Sequence, residues 1–282
     1  MNRTPKITVV TPSYNQAAYL EQTIRSVLDQ GYPDLEYIVI DGGSSDGSVE
    51  IIKKYEKRLA YWHSRRDGGQ SDAIRQGLER ATGEIMAWLN SDDYYETGTL
   101  KLIAEEFGKD KRADVVYGNM KIVDGNGLQI SERRLIGHIP WLSRIGMIYG
   151  GYGIYQPASF WRSEIYRRVG GLDPKYVHCM DNDLFAKFAV GGGRFRFVRS
   201  DLASFRVHAA SKTVNLHDTA GMELAEITEK YALKVPLLRS LGSLFSVASL
   251  RMIKPLAYIA QGDGPWLAER LAGKFLHKDR VP

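Results

Sequence analysis

Two adjacent carboxylates, Asp92 and Asp93, follow an apolar run at residues 85–89 after the two polar residues Asn90 and Ser91. Neighbouring carboxylates repel each other unless a cation lies close to both. Carboxylate oxygens suit Mg²⁺ and Mn²⁺, and such ions commonly bridge a protein carboxylate and the phosphates of a substrate. The single cysteine of the chain, Cys179, cannot by itself form a thiolate site for zinc. The pair therefore predicts a divalent-cation site that serves a substrate carrying a diphosphate.

Two further polar clusters follow β-branched runs in the same way. They occupy residues 11–15 and 41–46, after strands predicted at residues 7–11 and 35–40. Because ligands of open α/β sheets bind beyond the carboxyl ends of the strands, the three clusters predict one shared site. Asp, Ser and Gly after a strand are also ordinary turn and cap residues, and part of the second cluster fits that simpler explanation.

No glycine-rich phosphate loop accompanies the first strand. The chain contains no GxxxxGK[ST] sequence, and Gly42 and Gly43 come after the second strand, where they do not form a GxGxxG motif. We therefore expect a nucleotide that is held through a metal ion and carboxylates, and not by a glycine loop at the start of a helix.

The elements that must position these residues alternate along the first 120 residues. Short β-branched runs are followed by segments with helical periodicity, for example Leu20 and Ile24. This order predicts an α/β fold with a mostly parallel central sheet and helices on both faces. Farther along, we expect a hairpin near residues 121–130, a basic and aromatic binding loop at 132–153, and a helix at 181–190.

Composition and charge exclude several classes of function. The chain has 282 residues, of which 44% are hydrophobic and 25% are charged, as is usual for a soluble globular protein. Its net charge of +5 lies in residues 231–282, and the rest of the chain carries 30 charges of each sign. A neutral body argues against nucleic-acid binding. No uncharged apolar stretch of about 18 residues occurs, so we expect a cytoplasmic protein.

Four segments, in this order, resemble glycosyltransferase family 2. They are VVTPSYN at 9–15, IDGGSSDG at 40–47, RDGGQSDA at 66–73, and ATGE through NSDD at 81–93. The resemblance covers about residues 5–215 and implies an inverting nucleotide-sugar transferase of GT-A (Rossmann-like) fold. The QxxRW motif of processive polysaccharide synthases is absent, which implies that one sugar is added and that no polymer is made.

The resemblance assigns the donor nucleotide to the first two segments. Thr11, Pro12 and Tyr14 would line its base and ribose. Asp41 would accept a hydrogen bond from the imide N–H of a uracil or thymine, which favours a UDP-sugar. Gly42 stands where the family more often has a second acidic residue, so the identity of the base stays open.

The next two segments are assigned to the nucleotide and the metal ion. Asp67 and Asp72 match positions near the nucleotide, although Asp72 also fits a first-turn carboxylate favoured by the helix dipole. In the family's metal motif the last carboxylate binds the cation and the one before it faces the ribose. The resemblance therefore makes Asp93 the ligand of Mn²⁺ or Mg²⁺, and Asp92 a ribose-facing residue.

Residues near the end of the matching region complete the expected site. His208 resembles a histidine that approaches the diphosphate or the metal, and Lys212 would neutralise phosphate; His208 also fits a structural role. Asp181, in the acidic motif that begins a late helix, would be the base that removes the proton of the acceptor hydroxyl. Asp183 would be the neighbour of this base or a carboxylate at the helix start. In the simpler interpretation Asp181 is only the helix N-cap. Residues 156–160 match a segment of the acceptor site.

The expected domains follow from the same argument. Residues 1–215 form the catalytic domain, with a nucleotide-sugar half at 1–120 and an acceptor half at 121–215. Residues 216–282 form a helical, basic C-terminal extension. An apolar stripe with Lys and Arg in residues 235–282 either packs on the domain or docks on an anionic membrane, which would make the protein peripheral on the inner face of the cell membrane.

Together these expectations describe a metal-dependent enzyme of cell-surface polysaccharide synthesis. It would move one sugar from a nucleoside-diphosphate sugar to a hydroxyl of a glycan or lipid-linked glycan. Two alternatives stay open. A degenerate transferase would only hold nucleotide or glycan. A sugar-nucleotide pyrophosphorylase has a similar sheet but needs a glycine-rich loop with Arg and Lys after its first strand, where this chain has Pro12 to Gln16.

Overall fold

The computed structural model describes residues 4–135, 154–209, 217–232, 258–259 and 262–268. Most of the predicted binding loop, Lys212, which is expected to neutralise phosphate, and most of the basic extension lie outside the described residues. No helix in the described part of the chain is both long and apolar enough to span a membrane.

One curled sheet of nine strands runs through the described residues. The strands are β1 Ile7–Ser13, β2 Leu35–Asp41, β3 Tyr61–Ser64, β4 Ile85–Trp88, β5 Tyr94–Tyr95, β6 Val115–Val123, β7 Gln129–Arg133, β8 Ser159–Arg162 and β9 Phe195–Arg206. Their order is β3-β2-β1-β4-β8-β6-β9-β5, with β7 paired to β6. The first four are parallel, as are β6 and β9, whereas β8, β5 and β7 run antiparallel to their neighbours. The predicted hairpin is the β6–β7 pair.

Helices cover both faces of this sheet, as the alternation of strands and helices predicts. They are α1 Ala17–Leu28, α2 Ser48–Tyr55, α3 Gln70–Arg80, α4 Thr99–Lys109, α5 Ser163–Arg168, α6 Met180–Val190 and α7 His217–Ala232, with short 3-10 turns at Glu56–Arg58 and Gln156–Ala158. Successive strand residues point to opposite faces. Val9 accordingly belongs to an apolar cluster that includes residues of α1, α2 and α4, whereas Val10 belongs to one that includes residues of α3, α5, α6 and α7.

The helix that opens the predicted C-terminal extension is part of this core. Ile227 and Tyr231 of α7 are buried in the same apolar cluster as Leu184 and Phe185 of α6. The domain boundary after residue 215 stays a prediction. Helix α7 lies beyond this boundary in the sequence but packs on α6 of the catalytic domain.

The strand register brings the polar clusters to one edge. In the parallel pairing of β1 with β2, Ser13 lies opposite Asp41. In the pairing of β1 with β4, Val10 lies opposite Trp88. The segments that follow β1, β2 and β4 therefore leave the sheet side by side, at the carboxyl edge where ligands of such sheets bind.

Candidate active site

A cavity of about 660 Å³ opens at the carboxyl edge of the sheet. Its lining includes residues from every segment of the family resemblance. These residues are Pro12, Ser13, Tyr14, Gln16, Gly42, Gly43, Arg66, Asp67, Gly69, Gln70, Ala73, Asn90, Ser91, Asp92 and Phe205. The structure thus brings the motifs together in one concave site, as the strand-end clusters predict.

Hydrogen bonds between two loops make one wall of this cavity. Asn15 has a left-handed backbone (φ 51°), a conformation that Asn tolerates better than most residues. Its side-chain Oδ1 accepts the Ser45 N–H at 3.0 Å, and its own N–H donates to the Ser44 hydroxyl at 2.8 Å. The loop after β1 is therefore held against the loop after β2.

The Asp41 carboxylate supports this wall from inside and does not line the cavity. It is fully buried. Its Oδ2 accepts hydrogen bonds from the N–H groups of Gly43 and Ser44 and from the Ser64 hydroxyl, at 2.6–3.1 Å. Its Oδ1 accepts the Ser44 hydroxyl at 2.6 Å. Both oxygens thus hold the loop after β2, and the expected contact of Asp41 with a nucleobase stays a prediction.

A cleft in the cavity lies between Tyr14 and Asp67. Tyr14 is 62% exposed. A Cβ at Gly42 would lie 3.2 Å from an Asp67 carboxylate oxygen and 3.3 Å from the Tyr14 ring. Gly42, which stands in place of an acidic residue, therefore keeps this cleft open. Pro12 lines the cavity, whereas Thr11 is buried and its hydroxyl bonds to a tyrosine of β2.

Asp72, the other expected nucleotide residue, is bound within its own helix. Its carboxylate accepts hydrogen bonds from Arg75 at 2.7 Å, Gln76 at 2.8 Å and the Gly68 N–H at 3.1 Å. Burial alone would raise the pKa of Asp72, but these hydrogen bonds outweigh it and lower the pKa below its usual value. Asp72 does not line the cavity, and its contacts fit the simpler first-turn role.

The two adjacent carboxylates point in different directions. Asp93 is fully buried, and its Oδ1 accepts the Arg206 N–H at 2.9 Å. Burial, and next the charge of Asp92, raise the pKa of Asp93 well above its usual value. Asp92 lines the cavity, and its Oδ2 lies 3.2 Å from the His208 Nε2. The geometry therefore favours Asp92, and not Asp93 as the resemblance implies, as the carboxylate that meets a ligand.

Arg206 fixes the position of Asp92. Its guanidinium is buried and donates to the Asp92 carbonyl oxygen at 2.9 Å and to the Gly125 carbonyl oxygen at 2.9 Å. The guanidinium also lies 4.7 Å from the centre of the Tyr19 ring, and the His208 ring lies 4.6 Å from the same ring. Contacts with Arg206 and Tyr19 thus hold Asp92 and His208 in place at the edge of the cavity.

Asp92 and His208 could supply a carboxylate oxygen and an imidazole nitrogen to a cation. Within the described residues, no group of three or more His, Cys, Asp or Glu side chains could hold a metal ion. Mg²⁺ and Mn²⁺ in phosphate-transferring sites usually take one or two protein ligands and complete their shell with substrate phosphates and water. A carboxylate and an imidazole beside a large cavity fit that arrangement.

A second cavity of about 280 Å³ adjoins the first. The two share Gln70, Asn90 and Phe205, and the Gln70 amide donates to the Asn90 Oδ1 at 2.8 Å. The other residues of the second lining are Trp88, Met120, Ile154, Tyr155, Gln156, Pro157, Val177, His178, Met180 and Asp181. Residues 156 and 157 belong to the segment expected at the acceptor site.

Asp181 lies in this second cavity, in the first turn of α6. Burial raises its pKa to about 6; the Asn182 N–H, which donates to Oδ1 at 2.8 Å, opposes this increase, and the charge of Glu223 adds to it. The residue at the N-cap position is Cys179, so Asp181 does not cap the helix. Asp183, by contrast, is fully buried and paired with lysines 187 and 230.

Several residues of the site were not singled out by the sequence analysis. Arg66, Gln70 and Asn90 lie inside the motifs of the family resemblance, and that position is the signal that indicates them. His178 and Glu223 lie in no motif, and nothing in their sequence context indicates a role.

The chain belongs to glycosyltransferase family 2, because the model of that family matches residues 8–170. Curated relatives in Nostoc, Mycobacterium tuberculosis and Rickettsia are named glycosyltransferases. A Bacillus subtilis relative, TuaG, whose name proposes a role in teichuronic acid biosynthesis, is 40% identical over 103 residues, which are 36% of this chain and 41% of TuaG. The alignments cover 32% to 71% of the length of the curated relatives.

Solved structures show that the fold is the GT-A fold of this family. S. aureus TarS 1–349 in complex with UDP-GlcNAc has a TM-score of 0.62 and 16% identity, with 98% of this chain and 93% of that chain covered. The mannosyltransferase PcManGT of Pyrobaculum calidifontis, in complex with GDP-Man and Mn²⁺, has a TM-score of 0.64 and 19% identity, with 99% and 77% covered.

Proposed function

We propose that this glycosyltransferase is metal-dependent and inverting, and that it moves one sugar from a nucleoside-diphosphate sugar to a hydroxyl of a glycan. The observation that carries the proposal is the pair of adjoining cavities. One holds Asp92 beside His208, and the other holds Asp181. A donor in the larger cavity would therefore present its sugar toward a base in the smaller one.

The donor cleft favours a uracil nucleotide. The exposed ring of Tyr14 offers a stacking surface for a base, and Asp67 lies across the cleft that Gly42 keeps open. A carboxylate there would accept the imide N–H of uracil, the role that the sequence assigns to Asp41. One structural neighbour binds UDP-GlcNAc and another binds GDP-Man, so we favour a UDP-sugar and include GDP-mannose among the donors to be tested.

Asp92 and His208 would hold Mn²⁺ or Mg²⁺. When bound, the cation would stabilise the negative charge that develops on the departing nucleoside diphosphate. The neighbour PcManGT was solved with Mn²⁺, which supports this part of the proposal. Arg206 contributes by fixing the Asp92 backbone, so the carboxylate is already in position before the donor binds.

Asp181 would act as the base on the acceptor. The acceptor oxygen bonds to the anomeric carbon as its proton passes to the Asp181 carboxylate, while the bond from that carbon to the diphosphate oxygen breaks and the diphosphate keeps the electron pair. Attack on the face opposite the leaving group inverts the anomeric centre. A carboxyl with a pKa of about 6 is ionised at neutral pH and is a stronger base than an exposed aspartate.

The acceptor belongs to cell-surface polysaccharide synthesis in this proposal, as a glycan or a lipid-linked glycan. TuaG, named for teichuronic acid, supports that setting. The basic segment 235–282 would then dock on anionic lipid. We expect the full chain to pellet with phosphatidylglycerol vesicles at low salt. A chain ending at residue 232 should stay in the supernatant. Equal pelleting of the two would show that segment 235–282 does not bind the membrane.

A donor panel tests the proposal. UDP-glucose, UDP-GlcNAc and GDP-mannose are incubated with and without Mn²⁺, and release of the nucleoside diphosphate is measured. We expect release from one donor that depends on the metal and falls in Asp92→Asn, with Asp218→Asn on the surface of α7 as the matched control. Absence of release and of UDP binding in the unaltered chain would overturn the proposal.

A further inference from the structure

A carboxylate from α7 holds the segment that precedes Asp181. The Glu223 Oε1 accepts the Val177 N–H at 2.7 Å. Its Oε2 accepts the N–H groups of His178 at 2.9 Å and Cys179 at 2.8 Å. Three consecutive backbone donors thus converge on one side chain, which lies 44 to 46 residues away in the sequence.

The same segment is fixed from its other side by the donor half of the site. The Ser71 hydroxyl, near the start of α3, donates to the Tyr176 carbonyl oxygen. A second contact ties α7 to α6 two residues beyond the base, where the Tyr231 hydroxyl at 2.7 Å and Lys230 Nζ at 3.0 Å both bind the Asp183 carboxylate. The segment before α6 is therefore held between α3 and α7.

Elementary electrostatics explains why a carboxylate suits this position. Residues 177–179 lead into α6, with Cys179 at its N-cap, and the positive end of the helix dipole favours a negative charge there. Hydrogen bonds to an ionised acceptor are shorter and stronger than neutral ones. Glutamine would present an NH₂ group toward at least one of the N–H donors, so the amide cannot replace the carboxylate at this position.

We propose that Glu223 is a positioning residue of the transferase reaction, which fixes residues 177–179 so that Asp181 and His178 face the acceptor cavity. Both side chains line that cavity, and the His178 Nε2 is buried without a hydrogen-bond partner in the described part of the chain, so it is placed to bind an acceptor hydroxyl. This inference rests on the proposed function. It makes α7, beyond the region of the family match, part of the catalytic unit.

The test compares Glu223→Gln with Asp218→Asn, an exposed carboxylate in the first turn of the same helix. Hydrogen–deuterium exchange is followed in peptides that contain residues 177–183, UDP affinity is measured by calorimetry with Mn²⁺, and turnover is measured with the donor panel. In Glu223→Gln we expect faster exchange confined to these peptides, a kcat at least about tenfold lower, and a donor KM and UDP Kd within about twofold. Asp218→Asn should match the unaltered chain in all three.

Each other result overturns the inference in a distinguishable way. If kcat is unchanged in Glu223→Gln and the unaltered chain is active, Glu223 has no positioning role, and the proposed function is not affected. Exchange that rises throughout the chain, with weaker UDP binding, assigns Glu223 to general stability. If the unaltered chain neither binds UDP nor turns over any donor, the proposed function fails and the role of Glu223 fails with it. Should Glu223→Gln not fold, Glu223→Asp, which keeps the charge but is one methylene shorter, undergoes the same comparison.

Discussion

Within the proposed site, the wall that the loops after β1 and β2 form at the donor end and the base end around Asp181 are held by contacts of different separation along the sequence. At this wall of the donor end, loops that leave adjacent parallel strands bind one another, as when Asn15 binds Ser44, 29 residues away. At the base end, the segment before Asp181 is held by Ser71, 105 residues from its partner, and by Glu223 of a helix beyond the matched motifs.

The difference shows which part of an active site sequence motifs can indicate. Strand-end loops are close in space whenever their strands are neighbours, so the short motifs that follow those strands contain most of the residues that contact one another. A helix start that faces a second cavity has no such local support and depends on other elements. We therefore expect donor binding and base positioning to respond separately to substitution.

The largest expected effect separates the two ends through Asp181. Asp181→Asn removes the proton acceptor but keeps the size of the side chain, so kcat should fall by roughly 10²- to 10⁴-fold. The UDP Kd, measured by calorimetry with Mn²⁺, should stay within a few-fold because the donor cavity is untouched. A variant that retains full turnover would show that Asp181 is not the base.

The second effect divides the carboxylate pair at the donor end. Asp92→Asn should weaken Mn²⁺ binding by about 10- to 100-fold with little change in the melting temperature, because Asp92 faces the cavity. Asp93→Asn should act mainly on stability, because Asp93 is buried and accepts the Arg206 N–H. Titration with Mn²⁺ by electron paramagnetic resonance and thermal melts of both variants check this. The opposite division would restore Asp93 as the ligand.

The third effect is the pH dependence of the base end. Burial raises the pKa of Asp181 to about 6, so the carboxyl is protonated below that pH and cannot accept the acceptor proton. At saturating donor, kcat should fall about tenfold per pH unit below pH 6 and level off above pH 7. Mn²⁺ binding over the same range is the control. If kcat instead fell only near pH 4, or fell in parallel with Mn²⁺ binding, the fall would not be due to protonation of Asp181.

The smallest effect probes the cleft at the donor end. In Gly42→Ala, the added methyl would lie 3.2 Å from the Asp67 carboxylate and 3.3 Å from Tyr14, so those side chains must shift by a few tenths of an ångström. We expect UDP to bind several-fold more weakly, with the exchange of residues 177–183 unchanged. Gly221→Ala, on α7 where the structure shows open space, is the matched control. Unaltered UDP affinity would argue against binding of the uracil ring in this cleft.

Much of the fold and the location of the donor end could be predicted from the sequence, because periodicity and strand-end motifs are local signals. The direction of individual side chains could not. Asp92 and Asp93 are adjacent and chemically identical, and it is tertiary contacts, of Asp93 with the Arg206 N–H and of Asp92 with His208, that distinguish their environments. Asp41 turns inward because four donors surround it, a fact that depends on Ser64 of another strand. Glu223 is one of many acidic residues on amphipathic helices, and only the packing of α7 on α6 distinguishes it.

The central claim is that a donor in the larger cavity is attacked from the smaller one by a nucleophile that Asp181 activates. The most direct test is the anomeric form of the first product. With water as the acceptor and an α-linked donor such as UDP-GlcNAc, proton NMR during the first minutes reports the sugar before its anomers equilibrate. The account predicts that the β-anomer appears first and that its formation is lost in Asp181→Asn. Initial release of the α-anomer would contradict a single inverting displacement.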